Sequence, residues 1–237
     1  MLDSFQPKDR LNPKLWKHRN GHWTLDPKVK KHLDAIVDEF KKTLKIPDLQ
    51  VKEVILTGSN ANYDWSEYSD LDVHLVVDYS QVDEDHDFVM NYFDAKKKLW
   101  TLNHNITIHD IPVEMYVQDA SGDLFASGVY NLTRNEWDIE PQKGKFTIKA
   151  LEVQKKARAF KHQIEDVIHK ANSEDADEAT AQMDAVWDRL KKMRQAGLKQ
   201  GGESSVENLT FKYLRRDGTL DLLDKAESRI QDAKLSL

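Results

Sequence analysis

Residues 71–77, LDVHLVV, place an apolar side chain at every second position: Leu71, Val73, Leu75 and Val77, with Asp72, His74 and Val76 between them. A period of two is strand periodicity, because successive side chains leave a strand on opposite faces. This strand therefore has one wholly apolar face and one that carries an acid. Asp70, just before it, shares the side of Asp72. Two carboxylates side by side repel each other unless something positive lies between them. Mg²⁺ is the natural counter-ion, since it takes oxygen ligands and is usually held by one or two carboxylates together with phosphates. The alternative is a pair of solvated aspartates at the start of a strand.

Around this strand the chain reads as an α+β half followed by a helical half. Residues 1–25 are polar and loop-like, with Asn20-Gly21 as a turn signal. Asp26-Pro27 opens a helix, aspartate as N-cap and proline in the first turn. Val29, Leu33, Ile36, Val37, Phe40 and Leu44 continue it at helical spacing. VKEVILT, 51–57, reads as a strand and 85–101 as a helix. ITIHDIPVEMYVQD, 106–119, suggests two short strands around Asp110-Ile111-Pro112, and GVYNLTRNEWDIE, 128–140, a hairpin. Past Pro141, stripes at spacings of three and four predict helices over 147–170 and 174–196, the second closed by Gly197 as a C′ glycine. Ser204-Ser205-Val206-Glu207 is a candidate capping box for a helix ending at Asp217-Gly218, and a last helix covers about 219–235. The expected division is an N-terminal extension at 1–25, an α+β domain with a small mixed sheet and flanking helices at 26–145, and a helical domain at 146–237.

Two further features face the same chemistry. Gly58-Ser59 directly follows the strand 51–57, with ten residues between it and Asp70. A glycine there lets backbone approach an anion closely, and outward-pointing amides and a serine hydroxyl favour a phosphate; by itself the pair also suits a plain turn. Glu114 lies in IPVEMYV, a charge flanked by apolar and aromatic residues in a predicted strand. Such a glutamate is costly to bury without a partner, and it is the best third acid if two metal ions are to be held. An edge strand facing water would also accommodate it.

Composition bounds the rest. Of the 237 residues 39% are apolar and none is cysteine, which excludes disulfides, thiolate nucleophiles and zinc–thiolate sites. No apolar run is long enough to span a bilayer, and MLDSFQPKDR has no signal-peptide core, so an intracellular, cytoplasmic protein is expected. The formal charge is −6. Residues 146–237 hold 17 basic and 16 acidic residues, leaving 18 basic and 25 acidic before them. An acidic chain lacks the basic surface of a general DNA binder.

Gly-Ser, ten residues, Asp-x-Asp and then a strand-borne acid resembles the signature of the DNA polymerase β-like nucleotidyltransferase superfamily, over about 60 residues and most closely in its small members. LNPKLW, GVYNLTRNEW and KKMRQAGLKQGGESSVENLTFKYLRRDG also resemble predicted nucleotidyltransferases of tailed bacteriophages, whose compartment would be the infected host's cytoplasm. The resemblance implies that Gly58 and Ser59 hold the triphosphate of an NTP, that Asp70 and Asp72 bind Mg²⁺ (or Mn²⁺), and that Glu114 completes the metal site, where many members carry aspartate. It implies transfer of an NMP to an acceptor hydroxyl with release of pyrophosphate. The acceptor is unknown: a protein side chain, as in antitoxin-type members, or an RNA 3′ end; a catalytically silent binding module is the remaining reading.

Other residues are candidates of second rank. Lys212, Arg215 and Arg216, three cations within five residues, suit either a solvated helix face or a wall of the cleft that meets triphosphate; Lys191, Lys192, Arg194 and Lys199 have the same two readings. Tyr63, Trp65 and Tyr68 in the loop after Ser59 can stack on a base or pack on their own domain. His74 shares the face of Asp72 and suits substrate contact or a structural hydrogen bond, and His104 and His109 have no partner at metal-ligand spacing.

Overall fold

A computed structural model describes residues 2–122, 124, 126–144, 148–171 and 176–236. The chain divides into two compact units, Pro7–Lys145 and Met1–Gln6 together with Phe146–Leu237. The expected domain boundary at 145/146 and the expected helix starts at 147 and 174 lie outside the described residues.

The first unit is mixed α and β. It begins with a hairpin, β1 (Trp16–Arg19) and β2 (His22–Leu25), turned by Asn20-Gly21 with both residues at positive φ. Helix α1 (Pro27–Leu44) follows, capped by Asp26, whose side chain accepts from the Lys28 amide. Then come β3 (Val51–Thr57), β4 (Leu71–Val77), α2 (His86–Asn103), β5 (Thr107–Ile108), β6 (Ile111–Asp119), β7 (Val129–Asn131) and β8 (Glu136–Ile139). The six-stranded sheet has the order β5-β6-β4-β3-β7-β8; β4 and β6 run parallel and the other pairs antiparallel. Val29, Leu33, Phe40 and Leu44 of α1 and Val89, Phe93 and Trp100 of α2 share one core with Leu56, Leu71, Val73, Leu75, Val77 and Met115. Both helices thus cover one face of the sheet. On the other face a small apolar cluster, Ile55, Val76 and Val129, leaves room for polar groups farther along β4 and β6.

The stretch 1–25 is not the loop that its polarity suggested. Leu11, Leu15, Trp16 and Leu25 are buried in the core, and Trp16 stacks on Trp137 with ring centroids 4.5 Å apart and meets Tyr130 edge-on at 5.0 Å. Few but large side chains anchor it, without the periodicity that marks a longer element.

The second unit holds α3 (Ala150–Ala171), α4 (Ala176–Gly201), α5 (Val206–Arg216) and α6 (Thr219–Leu235). Their stripes meet in a core of Ala157, Ile164, Met183, Val186, Leu190, Leu214, Leu223 and Ile230, while Phe5 packs with Ile148, Val153 and Leu209. Gly197 does not end α4, which continues to Gly201. A Cβ at Gly197 would lie 2.4 Å from Cβ of Glu207 and 2.8 Å from Oγ of Ser205, so this glycine serves close packing against the start of α5. The cap of α5 is Ser205, which accepts from the Asn208 amide; Glu207 pairs with Lys156 instead of closing a box on Ser204. No helix among the described residues is long and apolar enough to cross a membrane.

Candidate active site

Strand register brings the acids together. In the parallel pair β4–β6, Asp72 lies beside Glu114 and His74 beside Tyr116. On the other side of β4, Asp72 is paired with Thr57, the last residue of β3. Asp70 immediately precedes β4. One ligand oxygen from each of Asp70, Asp72 and Glu114 lies within 4.8 Å of the others, and all three residues are half-buried. Three carboxylates this close disfavour one another's charge unless cations enter, and an all-oxygen donor set suits a hard divalent ion.

Gly58 follows Thr57 at φ +74° and ψ −166°, a conformation that only glycine adopts without strain. A Cβ built on it would stand 1.9 Å from Oδ2 of Asp72, so the bare backbone of the turn lies directly against that carboxylate. The turn Ser59–Ala61 is held from behind by Asn60, which is fully buried. Its Nδ2 donates to the carbonyl of Asp70 at 2.8 Å, its Oδ1 accepts from Nδ2 of Asn12 at 2.9 Å, and its carbonyl accepts from Nε1 of Trp16 at 2.7 Å. The N-terminal segment is thus the brace of the turn. Ser59 Oγ donates to Oγ of Ser69 at 2.8 Å, and Ser69 Oγ accepts from the Ser66 amide; the loop 62–69 is tied back to the turn through this serine pair.

Glu114 has found the partners its burial demands. Lys97 of α2 places Nζ 3.1 Å from Oε2, and Tyr116 donates its hydroxyl to the same oxygen at 2.5 Å. Burial pushes the Glu114 carboxyl up, but the Tyr116 hydroxyl and the Lys97 ammonium, with a contact to Asp70, outweigh it and hold the group below its usual range. Burial and the nearby charges of Asp72 and Glu114 push the Tyr116 hydroxyl up, so it remains a donor. His74 stacks on the Tyr116 ring, centroids 4.5 Å apart and planes 10° from parallel. Burial lowers its pKa to about 4, opposed by a hydrogen bond with Gln118 and assisted by Lys97. His74 is therefore neutral near pH 7 and packs beside the acids.

The second-rank candidates separate. Tyr63 accepts from Nε1 of Trp23 and Trp65 donates to the carbonyl of Arg10, so both rings pack on the N-terminal segment; Tyr68 is 47% exposed. His104 lies against Trp100, and His109 occupies the turn between β5 and β6 at positive φ. In the helical unit, Lys191 lies over Trp187, Lys192 pairs with Asp188, and Arg194 bonds Asn208 and lies over Phe211. Lys212, Arg215 and Arg216 lie on α5, where Arg216 donates to Oγ of Ser4 at 2.7 Å and covers the Phe5 ring at 4.1 Å. Sequence reasoning missed Lys97, Tyr116, Asn60, Asn12 and Trp16. For Lys97 a signal existed: it falls on the stripe Val89-Phe93-Lys97-Trp100, whose other members face the core.

Residues 33–115 match the family model described as "Nucleotidyltransferase domain", a span that contains Gly58, Ser59, Asp70, Asp72, Lys97 and Glu114. No curated protein matches the chain. One solved structure, a STING-associated CdnE c-di-GMP synthase from Capnocytophaga granulosa, is similar at 11% identity over 89% of this chain and 84% of that one, with a TM-score of 0.22; a likeness at that level has no bearing on substrate. The family match rests on the segment in which two strands and a glycine turn gather three acids, and over residues 33–115 this chain carries a nucleotidyltransferase domain of the DNA polymerase β-like superfamily.

Proposed function

We propose that the protein transfers a nucleoside monophosphate from an NTP to an acceptor hydroxyl, releasing pyrophosphate, with Mg²⁺ or Mn²⁺ held by Asp70, Asp72 and Glu114. The observation that carries this reading is the convergence of the three carboxylates within 4.8 Å beside a glycine whose missing side chain gives the Asp72 carboxylate its room. In two-metal transfer the bound ions lower the pKa of the attacking hydroxyl and neutralise the triphosphate and the leaving pyrophosphate. The protein's own part is positioning and charge. Asp70 and Asp72 fix the ions relative to the sheet, and Glu114, held by Lys97 and Tyr116, supplies the third oxygen. Gly58 and Ser59 present backbone to the triphosphate, and Tyr68 offers an exposed ring to a base.

The catalytic work falls to 26–145, with 146–237 assigned to substrate contacts. Lys212, Arg215 and Arg216 of α5 are assigned to the triphosphate. The acceptor we favour is a protein hydroxyl, adenylylated from ATP, because the part of the chain before 146 is acidic and suits a polyanionic RNA end poorly. Incubation with each α-labelled NTP and host extract tests this: label on protein is expected, label on RNA would move the acceptor to a 3′ end, and no metal-dependent nucleotide binding would make the fold a silent binding module. The α5 assignment has its own test. Lys212→Ala/Arg215→Ala should raise KM for NTP several-fold, and Arg216→Ala should in addition lower Tm through its contacts with Ser4 and Phe5. An unchanged KM in the double variant would remove these residues from the site.

A further inference from the structure

The sequence contains two charges where apolar residues belong. Lys97 stands on the core-facing stripe of α2 between Phe93 and Trp100, and Glu114 stands in the apolar strand β6 between Val113 and Met115. The structure pairs them at 3.1 Å. β5 pairs with β6 at Ile111 and Pro112, and the Val113 amide donates to the Ile106 carbonyl at 3.0 Å just before the position of Glu114. The Lys97 ammonium lies 3.4 Å from the centroid of the Tyr116 ring, in cation–π contact. Tyr116 in turn gives its hydroxyl to Oε2 of Glu114, the oxygen that Lys97 contacts, and is backed by the stacked ring of His74.

Both cationic and hydroxyl donors thus converge on one oxygen of Glu114. Oε2 is held by the protein, and the Glu114 carboxyl also makes a side-chain contact with Asp70. Fully ionised, the three carboxylates and Lys97 together would carry a net charge of two minus, and without Lys97 three minus.

We propose that Lys97 is a positioning residue of the metal site: through Glu114 and Tyr116 it holds the third carboxylate in place before any ion binds, and its charge limits how strongly the site attracts divalent cations. This rests on the metal-binding reading of Asp70, Asp72 and Glu114. A lysine that merely filled space on α2 would affect stability equally with and without metal. A lysine that offsets the acids has an effect that depends on the metal, because a bound ion takes over its role.

The test is thermal melting and Mn²⁺ titration, followed by the electron paramagnetic resonance of free Mn²⁺, on wild type, Lys97→Met and Lys97→Arg without nucleotide. In EDTA, Lys97→Met should melt about 2–4 °C below wild type, the shift that loss of one such interaction produces in a chain of this size. Saturating Mn²⁺ should close that gap, and the variant should bind Mn²⁺ several-fold more tightly than wild type. Lys97→Arg keeps the charge and should stay near wild type in both readouts. If Lys97→Met does not fold, Lys97→Gln carries the same expectations. A gap that persists in Mn²⁺, or affinity that is unchanged or weaker, overturns the proposal. A wild type that responds to Mn²⁺ in neither readout overturns the metal-site reading itself and this inference with it, which separates the two failures.

Discussion

The two faces of β4 are built on opposite rules. On one, Leu71, Val73, Leu75 and Val77 are all fully buried under α1 and α2. Each is stabilised by the area it removes from water and by close packing, and none needs a particular neighbour. On the other, Asp72 and His74 are half-buried and the site is held by specific partners: Glu114 by Lys97 and Tyr116, the Asp70 carbonyl by Asn60, the Gly58 turn by the absence of a Cβ. One face holds the fold together with interchangeable hydrophobes. The other concentrates like charge, which the fold tolerates only because the first face is secure. This is the division expected where a site costs stability that packing elsewhere supplies.

If the faces are separate in this way, substitutions should separate activity from stability. The largest effect should come from Asp72→Asn, which keeps shape and removes one charge. Turnover with Mg²⁺ and NTP should fall on the order of a thousandfold, while the metal-free Tm holds or rises as repulsion eases. Wild-type turnover in this variant would show that the acids are not the site. Gly58→Ala comes next. Its Cβ meets Asp72, and its backbone conformation costs a non-glycine residue roughly 1–3 kcal/mol; both turnover and Tm should drop, turnover by far the more. On the helix-covered face, Leu75→Ala should cost about 2–5 kcal/mol of stability, read by urea denaturation, with turnover per folded molecule unchanged. A kinetic defect there would mean that the two faces are coupled.

The helix-covered face was legible in the sequence because burial repeats with the period of the element. The alternation in 71–77 and the stripe from Val29 to Leu44 both follow from repeated spacing, and α1 even carries its Asp-Pro start signal. The acids were visible for different reasons: Asp70 and Asp72 as two like charges on one side of a strand, and Glu114 as a charge flanked by apolar and aromatic residues, which is itself a signal. What fixed their meeting was register, which places Asp72 beside Glu114 and which no local pattern states. Lys97 gave the same kind of signal within a run of three lysines, where its place on the core-facing stripe was masked by its neighbours. Asn12, Trp16 and Asn60 gave none. Asn12 acts from a loop, Trp16 from the first position of β1 and Asn60 from the Ser59–Ala61 turn, through hydrogen bonds across 44 to 48 residues of sequence, and a short polar loop shows no period. Gly197 was misread because a glycine near the end of a helical stripe suits both a C′ position and a close helix contact; only the proximity of Ser205 and Glu207 decides.

The smallest expected effect sharpens the comparison most, because it asks to which face the N-terminal segment belongs. Trp16 packs on Trp137 and Tyr130 like any core aromatic, yet its Nε1 donates to the carbonyl of Asn60 at 2.7 Å, behind the Gly58 turn. Trp16→Phe keeps a ring in the aromatic cluster and removes that donor. The buried Asn60 carbonyl then lacks this partner, at a cost of about 1–3 kcal/mol, and Asn60 still holds the Asp70 carbonyl through its side chain. The expected outcome is a modest fall in Tm with a KM for NTP raised by less than about tenfold, since a loss on the order of 1 kcal/mol at the turn is worth no more than that. Asn12→Ala, which removes the second brace through the Asn60 side chain, should act in the same direction. Should Tm fall in both variants while KM stays at the wild-type value, residues 7–25 would support the core alone, and the turn would hold its shape without them. A rise in KM larger than the stability loss explains would instead make this segment part of the nucleotide site, built into the fold ahead of the first strand that carries it.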